Sequence, residues 1–286
     1  MSDTKINRRT FLKIAGGLAV GGGLAASGSY YYASRIEPEK IVIEPVTIPL
    51  KNLRPALEGL KIVQLSDIHL HPYTQIELVE RAVAMANTLK PDLAVITGDH
   101  VLQEPESVFE LAPALAALET RYGVFVSFGN HDLHLPRNLE IMKTGFEESG
   151  IIVLQNNNVI FDVGKAQLQL AGLDDAIKGQ PHLQAALEGW REETTTLLLA
   201  HEPDLADDIA KDGRVALQLS GHSHGGQIRL PGRGALALPP LGRKYDQGLY
   251  QVDDMWLYTN RGLGVLGLPI RFNCPPEVTA ITLARA

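Results

Sequence analysis

Apolar runs that end in polar side chains dominate the hydrophobic pattern of this 286-residue chain. Five runs rich in Val, Ile, Leu and Phe are each followed within a few positions by Asp, Asn or His. The polar residues at these five ends are Asp67 and His69, Asp99, Asn130 with His131 and Asp132, His201, and His222 with His224. A short apolar run bounded by Gly and polar residues is typical of a buried strand that opens into a loop. Because functional loops of open α/β sheets collect at the carboxyl ends of the strands, the pattern predicts that these side chains share one cleft.

Strands and helices alternate from Leu60 onward, which predicts an α/β fold in a single domain. The segment Thr74–Leu89 carries apolar residues along one helical stripe and is predicted to be a helix. Thr74 and Glu77 have the spacing of a capping box, so we expect Thr74 to cap this helix.

Short strands dominate the second half of the chain. Residues 151–154, 159–163 and 168–173 are predicted to form a meander, and Gly232–Leu241 is predicted to be a loop at the rim of the cleft. Ile41–Leu50 alternates as an edge strand does. The predicted organisation is a targeting segment at 1–34, a lead-in segment with the edge strand at 35–59, and one domain at 60–286.

The first 34 residues have the pattern of an export signal. Arg8 and Arg9 precede Phe11-Leu12-Lys13, and Ile14–Ser34 contains no charged residue. The paired arginines resemble the twin-arginine (Tat) motif, which predicts the Tat machinery as a partner and a periplasmic or extracytoplasmic location at the membrane face. Cleavage near Ala25–Ser27 and retention as a membrane anchor both remain open, because 21 uncharged residues are long enough to span a bilayer. A cytoplasmic protein with a Gly-rich tail is the remaining alternative.

The net charge argues against a nucleic-acid partner, and the cysteine content argues against a disulfide. The formal net charge is −7 and the pI is near 5.7, so the chain has no general attraction to a nucleic-acid backbone and no such partner is expected. The single cysteine, Cys274, excludes an internal disulfide and is expected to be a core residue.

The polar cluster has the chemistry of a metal centre. Carboxylate and imidazole ligands together suit Mn, Fe or Zn better than Mg or Ca. Seven ligands, with one of them shared, fit two divalent ions about 3.5–4 Å apart. The remaining imidazole, His131, stands beside Asp132, an arrangement typical of an oriented acid–base histidine.

These motifs, taken in order over about residues 60–226, resemble the calcineurin-like metallophosphoesterases. Gly225-Gly226-Gln227, Asn260–Gly264 and Pro276-Glu277, with the Tat pattern, resemble the exported YkuE/YaeI-type phosphodiesterase branch of that family. The resemblance implies an α+β sandwich of two packed mixed β-sheets flanked by helices. It also implies that Asp67, His69, Asp99 and His224 hold one metal, and that Asp99, Asn130, His201 and His222 hold the other. His131 would then be the acid and Asp132 its orienting partner.

The chain departs from the family pattern after Asp99, where His100-Val101-Leu102 stands in place of the Leu-Val-Asp of many relatives. Leu102 occupies the position of the metal-binding tyrosine of purple acid phosphatases, so an Fe(III)–tyrosinate site is not expected. His71 and His100 match no ligand position and are interpreted as rim residues.

The expected function is hydrolysis of a phosphate ester, and of a phosphodiester in particular, by a metal-bridged hydroxide, with Mn favoured. Arg261 lies in a Gly-flanked loop and is expected either to contact the substrate phosphate or to form a structural ion pair. The alternatives are a lipid-linked pyrophosphate hydrolase similar to UDP-2,3-diacylglucosamine hydrolases and a non-catalytic metal-binding scaffold.

Overall fold

The computed structural model describes residues 26–134 and 137–286. Most of the proposed targeting segment, residues 1–25, therefore lies outside the described residues. From Ala26 the chain is helical and passes into a short irregular helix at Tyr32–Ile36. Across residues 26–134 and 137–286, the helices are either too short or too polar to cross a membrane.

Two six-stranded sheets and a small hairpin form the framework of the molecule. The strands are β1 (Val42–Leu50), β2 (Lys61–Leu65), β3 (Leu93–Thr97), β4 (Val124–Ser127), β5 (Ile152–Val153), β6 (Asn157–Val163), β7 (Ala166–Gly172), β8 (Thr195–Leu199), β9 (Leu217–Ser220), β10 (Arg229–Leu230), β11 (Gly234–Ala235), β12 (Gly248–Val252), β13 (Met255–Thr259) and β14 (Glu277–Arg285). The first sheet has the order β1-β14-β2-β3-β4-β5, and the second has the order β12-β13-β9-β8-β7-β6. Both sheets are mixed, so the expected sandwich of two mixed sheets is confirmed.

The helices lie on the outer faces of the sandwich. They are α1 (Ile76–Thr88), α2 (Val108–Ala116), α3 (Asn138–Glu148), α4 (Leu183–Ala186) and α5 (Ala206–Ile209). The first three pack against the first sheet, and the two short helices pack against the second.

The central core lies between the two sheets. Along β3, Leu93 and Val95 face this core, whereas Ala94 and Ile96 face the helices. Because both faces are covered, all five residues of β3 are buried, which explains why its sequence is continuously apolar rather than alternating.

Two local predictions were wrong. The meander does not form, because β5 pairs with β4 in the first sheet while β6 and β7 make a hairpin in the second. The predicted helix starts at Ile76, two residues after Thr74, and its first turn receives no side-chain cap. The loop before this helix is held instead by single β-bridges, which pair Leu70 with Thr74 and with Val101.

The core between the sheets predicts a large effect of removing Phe125, which is fully buried there on β4. We expect Phe125→Ala to lower the free energy of unfolding by about 3–5 kcal/mol, because the cavity adds to the lost apolar burial. Urea denaturation of the full chain measures the loss. Phe109→Ala, at a half-exposed position on α2, is the control and should cost under about 1 kcal/mol. Equal losses in the two variants would contradict this placement of the core.

Candidate metal centre

The strand directions bring the five polar loops to one end of the sandwich. β2, β3 and β4 run parallel in the first sheet, and β8 and β9 run parallel in the second. The carboxyl ends of parallel strands lie at the same edge of a sheet, so the loops after them meet. Backbone hydrogen bonds tie the loops together, as from Asp67 N to Gly98 O (3.1 Å) and from Gly221 N to His201 O (3.0 Å).

Sharp turns aim the side chains into this end. Five candidate ligands have a positive φ, namely Asp67 (47°), His69 (47°), Asp99 (53°), His222 (66°) and His224 (52°). Each such residue costs of order 1 kcal/mol of strain or more, and such strain is typical of functional sites. The turns also need glycine beside them, because a Cβ on Gly129 would collide with Asp99 and one on Gly221 would collide with Asp67.

Asp67, His69 and His224 form a first group, with ligand atoms that all lie within 4.8 Å of one another. The Nε2 atoms of His69 and His224 are 3.0 Å apart, and His224 Nε2 is 3.4 Å from Asp67 Oδ1. All three side chains are buried.

Asp99, His201 and His222 form a second group of the same compactness. His201 Nε2 lies 3.2 Å from Asp99 Oδ2, and His201 Nδ1 lies 2.7 Å from Thr97 O. The Thr97 carbonyl accepts the Nδ1 proton and so leaves Nε2 free as a ligand. The Pro240 carbonyl is 2.8 Å from His222 Nε2 and leaves Nδ1 free in the same way, which places the predicted rim loop Gly232–Leu241 against the site.

Asp99 adjoins both groups. Its Oδ2 is 3.4 Å from His69 Nε2, a ligand of the first group, and 3.2 Å from His201 Nε2, a ligand of the second. A carboxylate in this position can bridge two ions.

The residues present fit divalent cations. Two imidazole nitrogens at 3.0 Å match the separation expected when each lies about 2.1 Å from a common ion at a right angle. Asn130 Oδ1 is buried at the same end and accepts no hydrogen bond, although a buried polar atom normally has a partner. A metal ion satisfies both observations.

Burial sets the charges of the metal-free site. It lowers the pKa of His69 and of His222 to about 4, so both imidazoles are neutral and have a lone pair available at neutral pH. Burial also raises the pKa of Asp67 to about 7. Burial opposes ionisation of Asp99 as well. The positive charge of the adjacent His201 imidazole, which is hydrogen-bonded to Asp99, nevertheless holds the pKa of Asp99 well below its usual range.

Asp132 holds two loops together and does not orient His131. Its Oδ1 accepts hydrogen bonds from the backbone N–H of His100 (2.8 Å) and Val101 (3.3 Å). Its Oδ2 accepts from Gly129 N (3.0 Å) and lies 2.8 Å from His100 Nδ1. Both oxygens are thus engaged by the loops after β3 and β4, which corrects the expected role of Asp132.

His131 itself is partly exposed beside the centre. Its backbone N–H donates to Asp99 Oδ1 (2.9 Å), and its ring stands edge-on to that of His69 with centroids 4.8 Å apart. His69, Asp99 and His131 form a third group whose ligand atoms all lie within 4.8 Å of one another. The expected ligand set does not use this imidazole, although its position also suits a metal ligand.

His100 was wrongly interpreted as a rim residue. It is fully buried, with its ring against Phe146 at a centroid distance of 4.8 Å. His71 does lie at the surface, where its Nε2 is 2.8 Å from Glu110.

Glu202 is a buried group that sequence reasoning missed. It lies directly after His201, and burial together with a hydrogen bond that the Glu202 carboxyl donates to the neighbouring Asp175 carboxylate raises the pKa of Glu202 to about 9. The sequence signal that could have revealed this residue is an acidic side chain directly after His201, which itself follows the apolar run Leu197–Ala200.

Arg261 is engaged by carboxylates. Its guanidinium lies 3.0 Å from Glu44 Oε2 and 2.6 Å from Glu277 Oε2. These contacts correspond to the ion-pair alternative, because the Arg261 guanidinium is paired with two carboxylates rather than available to a substrate phosphate.

Known proteins are similar to this chain in sequence or in fold. The family profile described as calcineurin-like phosphoesterase matches residues 60–226. The chain is 37% identical over 283 residues to the uncharacterized metallophosphoesterase YkuE of Bacillus subtilis, covering 98% of each chain. It is 32% identical over 281 residues to the phosphodiesterase YaeI of Escherichia coli, covering 97% of this chain and 99% of YaeI. The structure of TT1561 of Thermus thermophilus aligns with 72% of this chain and 90% of its own at a TM-score of 0.51 and 14% identity, which shows a shared fold.

The Asp132 contacts predict a large loss of stability when that carboxylate is removed. Asp132→Ala leaves three buried backbone N–H groups without an acceptor, and we expect the free energy of unfolding to fall by about 3 kcal/mol or more. Denaturant titration of the full chain measures it. Asp162→Ala, an exposed carboxylate on β6, should change stability by under about 0.5 kcal/mol. A loss for Asp132→Ala as small as the control would contradict the anchoring role.

The raised pKa of Asp67 predicts that metal binding depends on pH. A carboxylate must lose its proton to bind a cation, and in the metal-free protein Asp67 keeps its proton below about pH 7. Affinity for Mn²⁺ should therefore rise as the pH is raised from about 6 to about 8, with proton release on binding that shrinks over the same range. Titration calorimetry in buffers of different ionisation enthalpy measures both. An affinity independent of pH across this interval would contradict the assignment.

Proposed function

The chain belongs to the calcineurin-like phosphoesterase family, and we propose that it hydrolyses phosphodiesters with two divalent ions held at the shared carboxylate of Asp99. The observation that carries the proposal is the set of candidate ligand groups that meet at Asp99, with an unpartnered Asn130 oxygen beside them.

Each side chain has a place in this scheme. Asp67, His69, Asp99 and His224 would hold one ion, and Asp99, Asn130, His201 and His222 would hold the other. When bound, the two ions would lower the pKa of water and neutralise charge on the phosphate. The Thr97 and Pro240 carbonyls keep His201 and His222 in the tautomers that bind metal.

His131 would act on the leaving group. It is the partly exposed imidazole next to Asp99, so it can reach a bound ester while the ligands remain buried. A positioned imidazole that donates a proton to the leaving oxygen typically contributes about 10²–10⁴-fold to the rate. We therefore assign His131 as the general acid.

The relatives support a diester rather than a monoester as substrate, because YaeI, which is similar to this chain over nearly its whole length, is named a phosphodiesterase. The mixed oxygen and nitrogen ligands favour Mn, Fe or Zn, and we propose Mn.

We further propose export by the Tat machinery to the extracytoplasmic face of the membrane, with the N-terminal segment in contact with the membrane. The support is the Arg8-Arg9 pair followed by the uncharged stretch Ile14–Ser34. The cell fraction that holds the full chain, compared with that of an Arg8→Lys/Arg9→Lys variant, tests this proposal.

The role of His131 predicts a separation of catalysis from metal binding. His131→Ala should lower kcat on bis-p-nitrophenyl phosphate by about 10²–10⁴-fold while both ions remain bound, because the proposed scheme does not use this imidazole as a ligand. Steady-state kinetics with Mn²⁺ and elemental analysis of the same samples measure the two quantities. His71→Ala, at the surface, is the matched control and should keep the wild-type kcat.

Asp99→Asn should behave differently, with loss of metal as well as activity, because it weakens the ligand common to both groups. A wild-type protein that binds metal but turns over no mono- or diester would overturn the proposed function and favour the scaffold alternative. Loss of metal in His131→Ala would instead place that residue among the ligands.

A further inference from the structure

Several large apolar side chains are exposed on segments that are hydrogen-bonded to the loops of the metal centre or to one another. Leu268 is 60% exposed, Leu236 is 59% exposed and Tyr30 is 66% exposed. Single exposed apolar residues are common, but contiguous sets mark contact surfaces. We call this set the apolar rim, and it consists of Tyr30, Tyr31, Ile36, Leu236, Leu266 and Leu268.

The two rim leucines of the loop after β13 are tied directly to the metal-binding loop. Gly264 N donates to the carbonyl of the ligand Asp67 at 2.8 Å, only two residues before Leu266. Gln227, three residues after the ligand His224, donates from Nε2 to the carbonyls of Leu266 (3.2 Å) and Leu268 (2.8 Å). Leu266 N returns a hydrogen bond to Gln227 Oε1 at 2.8 Å. The leucines therefore have a fixed position relative to the ligands.

Leu236 reaches the same place from the hairpin of β10 and β11. Its backbone N–H donates to Ile228 O at 3.0 Å, and Ile228 bridges to Phe272. The hairpin lies close over the metal-binding loop, because a Cβ on Gly226 would collide with Ala235. Leu236 thus lies beside the loop that carries Leu266.

The helical segment with the rim tyrosines is attached through Arg271. The backbone N–H of Arg271 donates to Ala33 O at 2.9 Å. Its buried guanidinium donates to the carbonyls of Gly262 (3.0 Å) and Cys274 (2.9 Å). The end of the N-terminal segment is therefore joined to the loop of Leu266 and Leu268, so hydrogen bonds connect the backbone segments that carry the apolar rim.

The sequence next to the rim indicates what covers it. The uncharged stretch Ile14–Ser34 ends within the rim, at Tyr30 and Tyr31, and tyrosine is enriched where proteins meet the headgroup layer of a bilayer. Two arginines on these segments are exposed, although the chain as a whole has a net charge of −7. Arg35 lies in the N-terminal helical segment, and Arg233 lies at the tip of the hairpin of β10 and β11. Apolar side chains with neighbouring arginines match the surface of an anionic bilayer.

We propose that the apolar rim docks on a phospholipid bilayer and that the metal centre hydrolyses phosphodiesters of lipid headgroups at that surface. The inference rests on the proposed phosphodiesterase function and adds the class of substrate. Water forms the new P–O bond, the ester P–O bond to the leaving alcohol breaks, and one proton passes to that alcohol. No other reactant is needed.

A label at position 268 tests the docking. In full-length L268C, an environment-sensitive fluorophore will react at the exposed position, because Cys274 is fully buried. We expect a blue-shifted emission and protection from an aqueous quencher on vesicles of phosphatidylethanolamine and phosphatidylglycerol. The same label in I160C, at a half-exposed position of β6 in the second sheet, should stay in water. If the chain binds vesicles but the label at 268 also stays in water, only the N-terminal segment touches the membrane and the docking proposal is overturned.

A rate comparison tests the substrate class. The measured quantity is turnover of phosphatidylglycerol in vesicles divided by turnover of soluble bis-p-nitrophenyl phosphate. We expect the full-length L266S/L268S variant to lower this ratio roughly tenfold, because two leucines no longer enter the headgroup layer. The control F109S should keep the wild-type ratio.

The outcomes separate the two proposals. Absence of bis-p-nitrophenyl phosphate turnover in the wild type overturns the phosphodiesterase function itself. Normal soluble turnover without lipid hydrolysis, or with an unchanged ratio in L266S/L268S, overturns the lipid inference alone. The wild type could instead dimerise in solution through the rim and leave position 268 outside the vesicles. That result assigns the surface to a second copy of the chain and also overturns the lipid inference.

Discussion

The carboxylate of Asp99 joins the two halves of the molecule. It follows β3 of the first sheet, yet its Oδ2 lies 3.2 Å from Nε2 of His201, which follows β8 of the second sheet. It also accepts the backbone N–H of His131 and adjoins His69. Because it is buried, its negative charge must be balanced from close by, and the residues around it are placed to do so, with a proton on His201 or with cations.

The strain in these loops is supported by the surrounding sandwich. Five candidate ligands adopt left-handed backbone conformations that are unfavourable in isolation. Parallel strands fix the start of each loop. Buried side chains such as Asp132 and Arg271 form hydrogen bonds with backbone N–H and C=O groups that have no partner within the turns. The centre is therefore preorganised at the expense of local stability, which is the usual balance at functional sites.

The sequence was sufficient to predict which polar side chains gather at one end of the sandwich, because a strand end leaves a local signature. A fully apolar run followed by Gly and Asp, as at Gly98-Asp99, requires only near neighbours to be recognised. The partition into two sheets has no such signature, since β5 and β6 are separated by three residues yet lie in different sheets. Adjacency was also misleading for Asp132, whose partner His100 is 32 positions away, because neighbouring residues in a turn point in different directions. The burial of His100 depends on Phe128 and Phe146, which only tertiary packing brings to it.

The ligands come from loops spread between positions 67 and 224, so an unfolded chain cannot assemble the set. Cations that bind only the folded state lower the population of the open forms that proteases cleave. Metal loading would thus protect the folded chain from proteolysis.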